Sequence, residues 1–160
     1  GIRLIQLRAP HLSDNDYQNL AIDVKQLTQR HQARLMINHS LEMFEHINAD
    51  GLHLTASQLL ALKQRPVPDK YWLSASCHNQ QELEKARELG VDFVMLSPVL
   101  PTKSHPGAAT LGWKSFQTLA DKASMPVYAL GGMTPDMMAQ AKQNGAQGIA
   151  GIRSLWKGGI

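Results

Sequence analysis

Seven short apolar segments recur along this chain, and each is followed by a stretch with helical spacing. They centre near residues 4, 36, 53, 74, 95, 128 and 150. Regular alternation of strand and helix predicts one parallel sheet, because parallel neighbours need a crossover and right-handed crossovers lay helices on the sheet. Seven strands are more than an open doubly wound sheet usually holds and one short of a closed eight-stranded barrel. The expected fold class is therefore α/β, a (β/α)8 TIM barrel lacking its first βα unit. No linker or shift in composition divides the chain, so residues 1–160 read as a single domain. The first strand begins almost at residue 1, so a strand and helix are expected to be missing or supplied from elsewhere. An open barrel edge invites pairing with another chain. A covalently linked upstream domain or a second copy is the expected cover.

Strands are expected at residues 2–7, 34–37, 51–54, 73–76, 93–96 and 148–152, with a further short one from Val127 that runs into Gly131-Gly132. Helices are expected at residues 13–30, 41–47, 56–64, 80–89 and 114–122, with a last one opening at Pro135 and stopping at Asn144-Gly145. Ser13 and Thr134 have the chemistry of N-caps, and Pro135 suits a first helical position. A turn is expected at residues 66–68 and a long loop at residues 97–111.

Composition narrows the function. Lys plus Arg number 16 against 13 Asp plus Glu, a net charge of +3, and no five like charges run together. That favours an anionic small ligand and argues against nucleic acid. The single cysteine, Cys77, excludes an intrachain disulfide and points to a reducing, cytoplasmic compartment. No apolar run approaches the roughly 20 residues of a membrane span, so no membrane partner is expected.

The end of the chain carries the clearest chemical signal. Residues 127–152 read as strand, Gly131-Gly132, helix, strand. A glycine pair at the carboxyl end of a strand lets backbone N–H groups approach an anion where a Cβ would intrude. A turn demanded by backbone geometry is the plainer alternative. Arg8, on an inward strand position, is costly to bury unpaired, which makes anion binding its simplest use. Cys77 reads as a small packed residue. Met133, Met137 and Met138 read as helix packing, and Trp113 and Trp156 as core or rim.

Five strings occur in order: IQLR at residues 5–8, GLHL at 51–54, SASCHN at 74–79, SPVLPTKSH at 97–105 and ALGGMTPD at 129–136. Together they resemble the thiamin phosphate synthase and thiazole tautomerase (TenI-like) superfamily, barrels of vitamin B1 biosynthesis. The resemblance implies a phosphorylated small-molecule ligand, a thiazole phosphate or thiamin phosphate. In the synthase, a pyrimidine diphosphate is joined to a thiazole phosphate and pyrophosphate departs, which calls for Mg²⁺ and cationic donors.

The match is uneven. Gln6 and Arg8 stand at the family's pyrimidine and diphosphate positions, with Asn38 and Ser76 as further substrate contacts. His39 and Gln58 stand where the family has its two magnesium carboxylates, and Pro10 replaces a lysine. A hard cation prefers charged oxygen ligands, so no metal is expected unless the synthase reading holds. In the long loop Thr102 and Ser104 keep the phosphate hydroxyls, while His105, beside Lys103, replaces a lysine. Gly131 and Gly132 are intact, and Arg153 replaces a serine at the phosphate.

The intact phosphate end and altered metal end imply thiazole tautomerisation first, with His78 as general acid/base, since histidine exchanges protons near neutrality. His78 as a helix cap is its plainer alternative. Mg²⁺-dependent synthesis is the second reading. A third is a non-catalytic binding or interaction domain, because domains resembling this family also occur fused behind Nudix (MutT-type) hydrolases.

Overall fold

The computed structural model describes residues 2–102 and 107–155. Seven strands form one sheet in sequence order, all parallel: β1 (Leu4–Leu7), β2 (Arg34–Ile37), β3 (Gly51–Leu54), β4 (Trp72–Cys77), β5 (Phe93–Leu96), β6 (Val127–Ala129) and β7 (Gly148–Ile149). The helices are α1 (Asp14–Arg30), α2 (Leu41–Ile47), α3 (Ala56–Ala61), α4 (Gln80–Glu88), α5 (Gly112–Ala120) and α6 (Met138–Gln143). Among the described residues β1 and β7 each pair on one side only, so the sheet is a curled half-barrel rather than a closed ring.

Helix starts follow local chemistry. The side chains of Ser13, Ser40, Thr55 and Asn79 each accept a backbone N–H three residues on, at the first turns of α1 to α4. Each cap comes shortly after a strand, which makes the βα turns tight. Thr134 has the extended backbone of a cap but its side chain makes no capping bond. Pro135–Met137 is instead a 3-10 turn, and α6 begins only at Met138. Other boundaries also moved. β7 stops at Ile149, and Ile152 is exposed. α3 ends at Ala61 and α5 opens at Gly112.

The pleat divides the sheet. Leu35, Ile37, Leu52, Leu54, Leu73, Ala75, Cys77, Val94, Leu96, Val127 and Ala129 join the buried core on the helix side. The register puts Gln6, Met36, His53, Ser74, Ser76, Met95 and Tyr128 on the other, concave face. Cys77 is fully buried, as expected for a packed residue. Burial, then the charge of Glu82, pushes its thiol up to about 12, so no thiolate forms near neutrality. Met133 is buried and Met137 half-buried against the core, while Met138 is exposed. Trp113 packs edge-on against Phe116, and Trp156 lies outside the described residues.

The amino ends of the central strands are stapled by Arg65. Its guanidinium donates to the carbonyls of Val67, Tyr71 and Gly90 and to Asp92, whose carboxylate also takes the Leu73 N–H at 2.7 Å. Arg65→Met leaves those acceptors unmatched and is expected to cost about 2–3 kcal/mol. Urea unfolding at neutral pH checks this. An unchanged midpoint would mean that water replaces the arginine without loss.

Candidate functional site

Because every strand runs the same way, all seven carboxyl ends meet along one rim, where parallel α/β folds bind ligands. The candidate residues divide between the concave wall, the β1–β3 end of the rim and the β5–β7 end.

On the wall, His53 is buried at 2 % exposure, with Nδ1 2.8 Å from the Ser74 hydroxyl and Nε2 2.9 Å from the Ser76 hydroxyl. Burial, then the charge of Arg8, lowers its pKa to about 4, so the ring is neutral at physiological pH. One ring nitrogen therefore donates to a serine and the other accepts from one. Half-buried Ser76, expected to touch substrate, is oriented by this bond. Neither His53 nor Ser74 was singled out by sequence reasoning. The available signal was a histidine alternating with Leu52 and Leu54 in GLHL, which puts it on the face away from the core. On the same concave face, two strands away on β1, Gln6 carries a buried Oε1 with no partner among the described residues. A buried acceptor left unmatched calls for a donor from outside the protein.

At the β1–β3 end, Arg8 lies just past β1 and is exposed. The expectation of an inward, buried arginine is therefore corrected: β1 ends at Leu7, and Arg8 escapes the sheet. The Asn38 amide donates to the His53 carbonyl at 2.9 Å. His39 sits 4.4 Å, ring to ring, from Tyr17, and its Nε2 lies 3.6 Å from Asp14. Tyr17 donates its hydroxyl to the Leu7 carbonyl, and burial raises its pKa to about 12, so it stays a donor. Gln58 belongs to a capping box: its Oε1 accepts both the N–H and the hydroxyl of Thr55, at 2.9 and 3.0 Å.

His78 follows β4 and is exposed. Its backbone N–H donates to Glu82 at 2.6 Å, and Asn79 rather than His78 caps α4. The ring Nδ1 is 2.7 Å from the Ser97 carbonyl, which only accepts, so Nδ1 carries the proton and Nε2 is the basic nitrogen of the neutral ring.

The β5–β7 end brings Gly131 and Gly132 against the loop after β5. Both have positive φ, +96° and +70°. A Cβ on Gly131 would lie 2.8 Å from Pro98 Cα, and one on Gly132 would lie 2.9 Å from the Pro101 carbonyl. Backbone fit thus requires glycine before any ligand is considered. Among the described residues no acceptor takes either glycine's N–H, which leaves the anion cradle available as well. Thr102, half-buried, continues the loop that Gly132 touches, while Lys103, Ser104 and His105 lie outside the described residues. Ser154 donates to the Met133 carbonyl at 2.6 Å, tying the turn after β7 to the glycine loop, with exposed Arg153 beside it. Phosphate sites of α/β barrels commonly use the loops after the last two strands.

At the two positions where the resemblance puts magnesium carboxylates, His39 and Gln58 offer an imidazole and an amide oxygen, which suit a hard cation poorly. Among the described residues no group of three His, Cys, Asp or Glu side chains comes together as a metal site. A groove lined by Phe44, Asn48, Val67 and Tyr71 opens between α2 and the segment before β4, and it holds none of the candidate residues. Among the described residues, no helix is long and apolar enough to cross a membrane.

Comparison with known proteins agrees with this architecture. A provisionally named thiamine-phosphate synthase 2 of Aquifex aeolicus is 36% identical over 95% of this chain and 82% of its own length. The thiamine-phosphate synthase of Fusobacterium nucleatum is 28% identical over 97% of the chain and 76% of its own length. Among solved structures, the thiamine phosphate pyrophosphorylase of Pyrococcus furiosus superposes with a TM-score of 0.80 at 22% identity, over 94% of this chain and 73% of its own. The two sequence relatives carry synthase names rather than the tautomerase activity expected first, and none of the three names a Nudix domain. A sequence model described as thiamine monophosphate synthase matches residues 1–155, and the chain belongs to that family.

Proposed function

We propose that the rim binds the two halves of a thiamin phosphate: a phosphorylated thiazole at the Gly131-Gly132 end and an aminopyrimidine against Gln6. The reaction class is the joining of those halves, as the relatives' names suggest. The observation that carries this reading is the buried Gln6 Oε1, which waits for an N–H donor. An exocyclic amine on a pyrimidine supplies one, and a thiazole phosphate alone does not. Gly131, Gly132 and Thr102, with Ser104 and Arg153, are the proposed phosphate contacts. Arg8, Asn38, Ser76, Lys103 and His105 are the proposed contacts for the rest of the substrate.

Calorimetric titration tests this. Thiamin phosphate is expected to bind more tightly than thiazole phosphate. Gln6→Leu is expected to remove that difference, weakening thiamin phosphate about tenfold and leaving thiazole phosphate unchanged. Equal affinities for both ligands in the native chain would sink the pyrimidine assignment.

The tautomerase reading keeps one specific support: the basic Nε2 of His78 at a rim that needs no metal for proton transfer. If that reading is right, isomerisation of a thiazole carboxylate phosphate proceeds in chelator, and His78→Ala lowers its rate 100-fold or more, by roughly the usual contribution of a general acid/base. Turnover unchanged by the substitution removes His78 from the chemistry. A domain lacking both activities would still bind these ligands, and its place would then be that of a ligand-binding module, with or without a Nudix neighbour.

A further inference from the structure

We infer that the β1–β3 end of the rim takes a diphosphate or phosphate ester without a divalent cation, the ligand's charge being met by Arg8. This rests on the reading above, and it concerns the opposite end of the site from the glycine cradle.

Mg²⁺ demands near-octahedral oxygen ligands, one or two of them carboxylates. The side chains at this end are already committed. Gln58 has one ligand-grade oxygen, and it accepts two hydrogen bonds from Thr55 at the start of α3. His39 has Asp14 at one ring nitrogen and the Ser40 hydroxyl 3.4 Å from the other, and its ring lies against Tyr17. The acids around the rim are similarly engaged. Asp16 accepts the Ser13 hydroxyl at 2.6 Å, and both oxygens of Glu82 take bonds from His78 and Asn79. Asp136, at the other end of the rim beyond the glycine pair, is exposed and bonded to Thr134, and residues outside the described range include no Asp or Glu.

Arg8 is different. It stands at the carboxyl end of β1, exposed, with no hydrogen bond or ion pair to the described residues, yet its charge reaches His53 on the concave wall. An arginine offers five donors in a fixed fork that matches phosphate oxygens two at a time. Gln6, two residues earlier, lies on the concave face of β1 with its unmatched acceptor. The carboxyl end of β1 thus sets an exposed cation two residues beyond that acceptor, suited to an anion joined to a hydrogen-bond donor.

Inorganic pyrophosphate and Mn²⁺ are the probes. Pyrophosphate is titrated into the chain in EDTA and in excess Mg²⁺, and Mn²⁺ binding is followed by water-proton relaxation. Pyrophosphate is expected to bind at least as well in EDTA as in Mg²⁺, and Mn²⁺ is expected to show no saturable binding at millimolar concentration. Arg8→Met is expected to weaken pyrophosphate about tenfold with the circular dichroism spectrum unchanged. His39→Asp combined with Gln58→Asp is expected to create Mn²⁺ binding that the native chain lacks. Saturable Mn²⁺ binding by the native chain overturns the inference. So does pyrophosphate binding that appears only with Mg²⁺, or that fails under both conditions. Thiazole phosphate is titrated separately, because it reports on the glycine end and scores the function proposed above independently.

Discussion

Gly131→Ala is expected to destabilise the protein by about 3 kcal/mol, lowering the melting temperature by roughly 10 °C, and to weaken thiazole phosphate at least tenfold. The added Cβ would sit 2.8 Å from both Pro98 Cα and Pro98 Cβ and 3.1 Å from the Val99 nitrogen. Two of those three atoms are backbone, so a rotamer change cannot relieve the clash. The loop after β5 is also pinned here, since Val99 donates to the Leu130 carbonyl at 2.9 Å and Leu100 to that of Gly131 at 3.1 Å. A φ of +96° adds strain for any residue with a side chain. Urea unfolding and a phosphate titration on the folded fraction separate the two effects. A variant as stable as the native chain would show that the loop yields more easily than its hydrogen bonds imply.

Acid should destabilise the fold through His53. Its pKa in the native state is about 4, while the unfolded chain has the ordinary 6.5. Below 6.5 the unfolded state binds a proton that the folded state refuses. Stability is therefore complete above pH 6.5 and falls as the pH drops from about 6.5 towards 4, by about 3 kcal/mol for this one group. The cause is first burial of the imidazole and second the Arg8 charge. Unfolding free energies at pH 7, 5.5 and 4.5 measure the slope. His53→Gln keeps hydrogen-bonding capacity for Ser74 and Ser76 without titrating, so it should lose most of the decline between pH 7 and 4.5. A decline of the same size in the variant would assign the acid sensitivity to carboxylates instead.

The fold was largely readable because its determinants are local. Apolar runs such as RLMI and GLHL, and caps such as Ser13 and Ser40, set strand and helix positions within a few residues. Boundaries slipped where a local signal met a tertiary one. Pro135 opens a helical turn, but the chain tightens into a 3-10 turn before α6, and residues after Ile149 leave the sheet to pack through Ser154 on Met133. The site was less legible. Gln6 and His78 could be named from their strings, but that the Gln6 oxygen is left unmatched, or which nitrogen of His78 is basic, depends on neighbours far away in sequence. Arg8 looked buried because strand periodicity continues past Leu7 on paper, whereas the sheet stops there. His53 escaped notice because a histidine between leucines gives no hint that Ser74 and Ser76, on the next strand, will hold both its nitrogens.

A sheet paired strictly in chain order, from β1 to β7 without closure, is a line and not a ring. In a ring every strand has two neighbours and opening any one breaks two ladders. In a line the terminal members break only one. Among the described strands cooperativity is then graded along the row, strongest around β3 to β5 and weakest at β1 and at the two-residue β7. The two ends of that gradient are also the two ends of the candidate site: Gln6 and Arg8 ride on the first strand, and the turn tied to the glycine loop follows the last. Ligand that spans the rim would couple members that the backbone itself leaves unconnected, so binding and the firmness of the fold are two readings of one equilibrium.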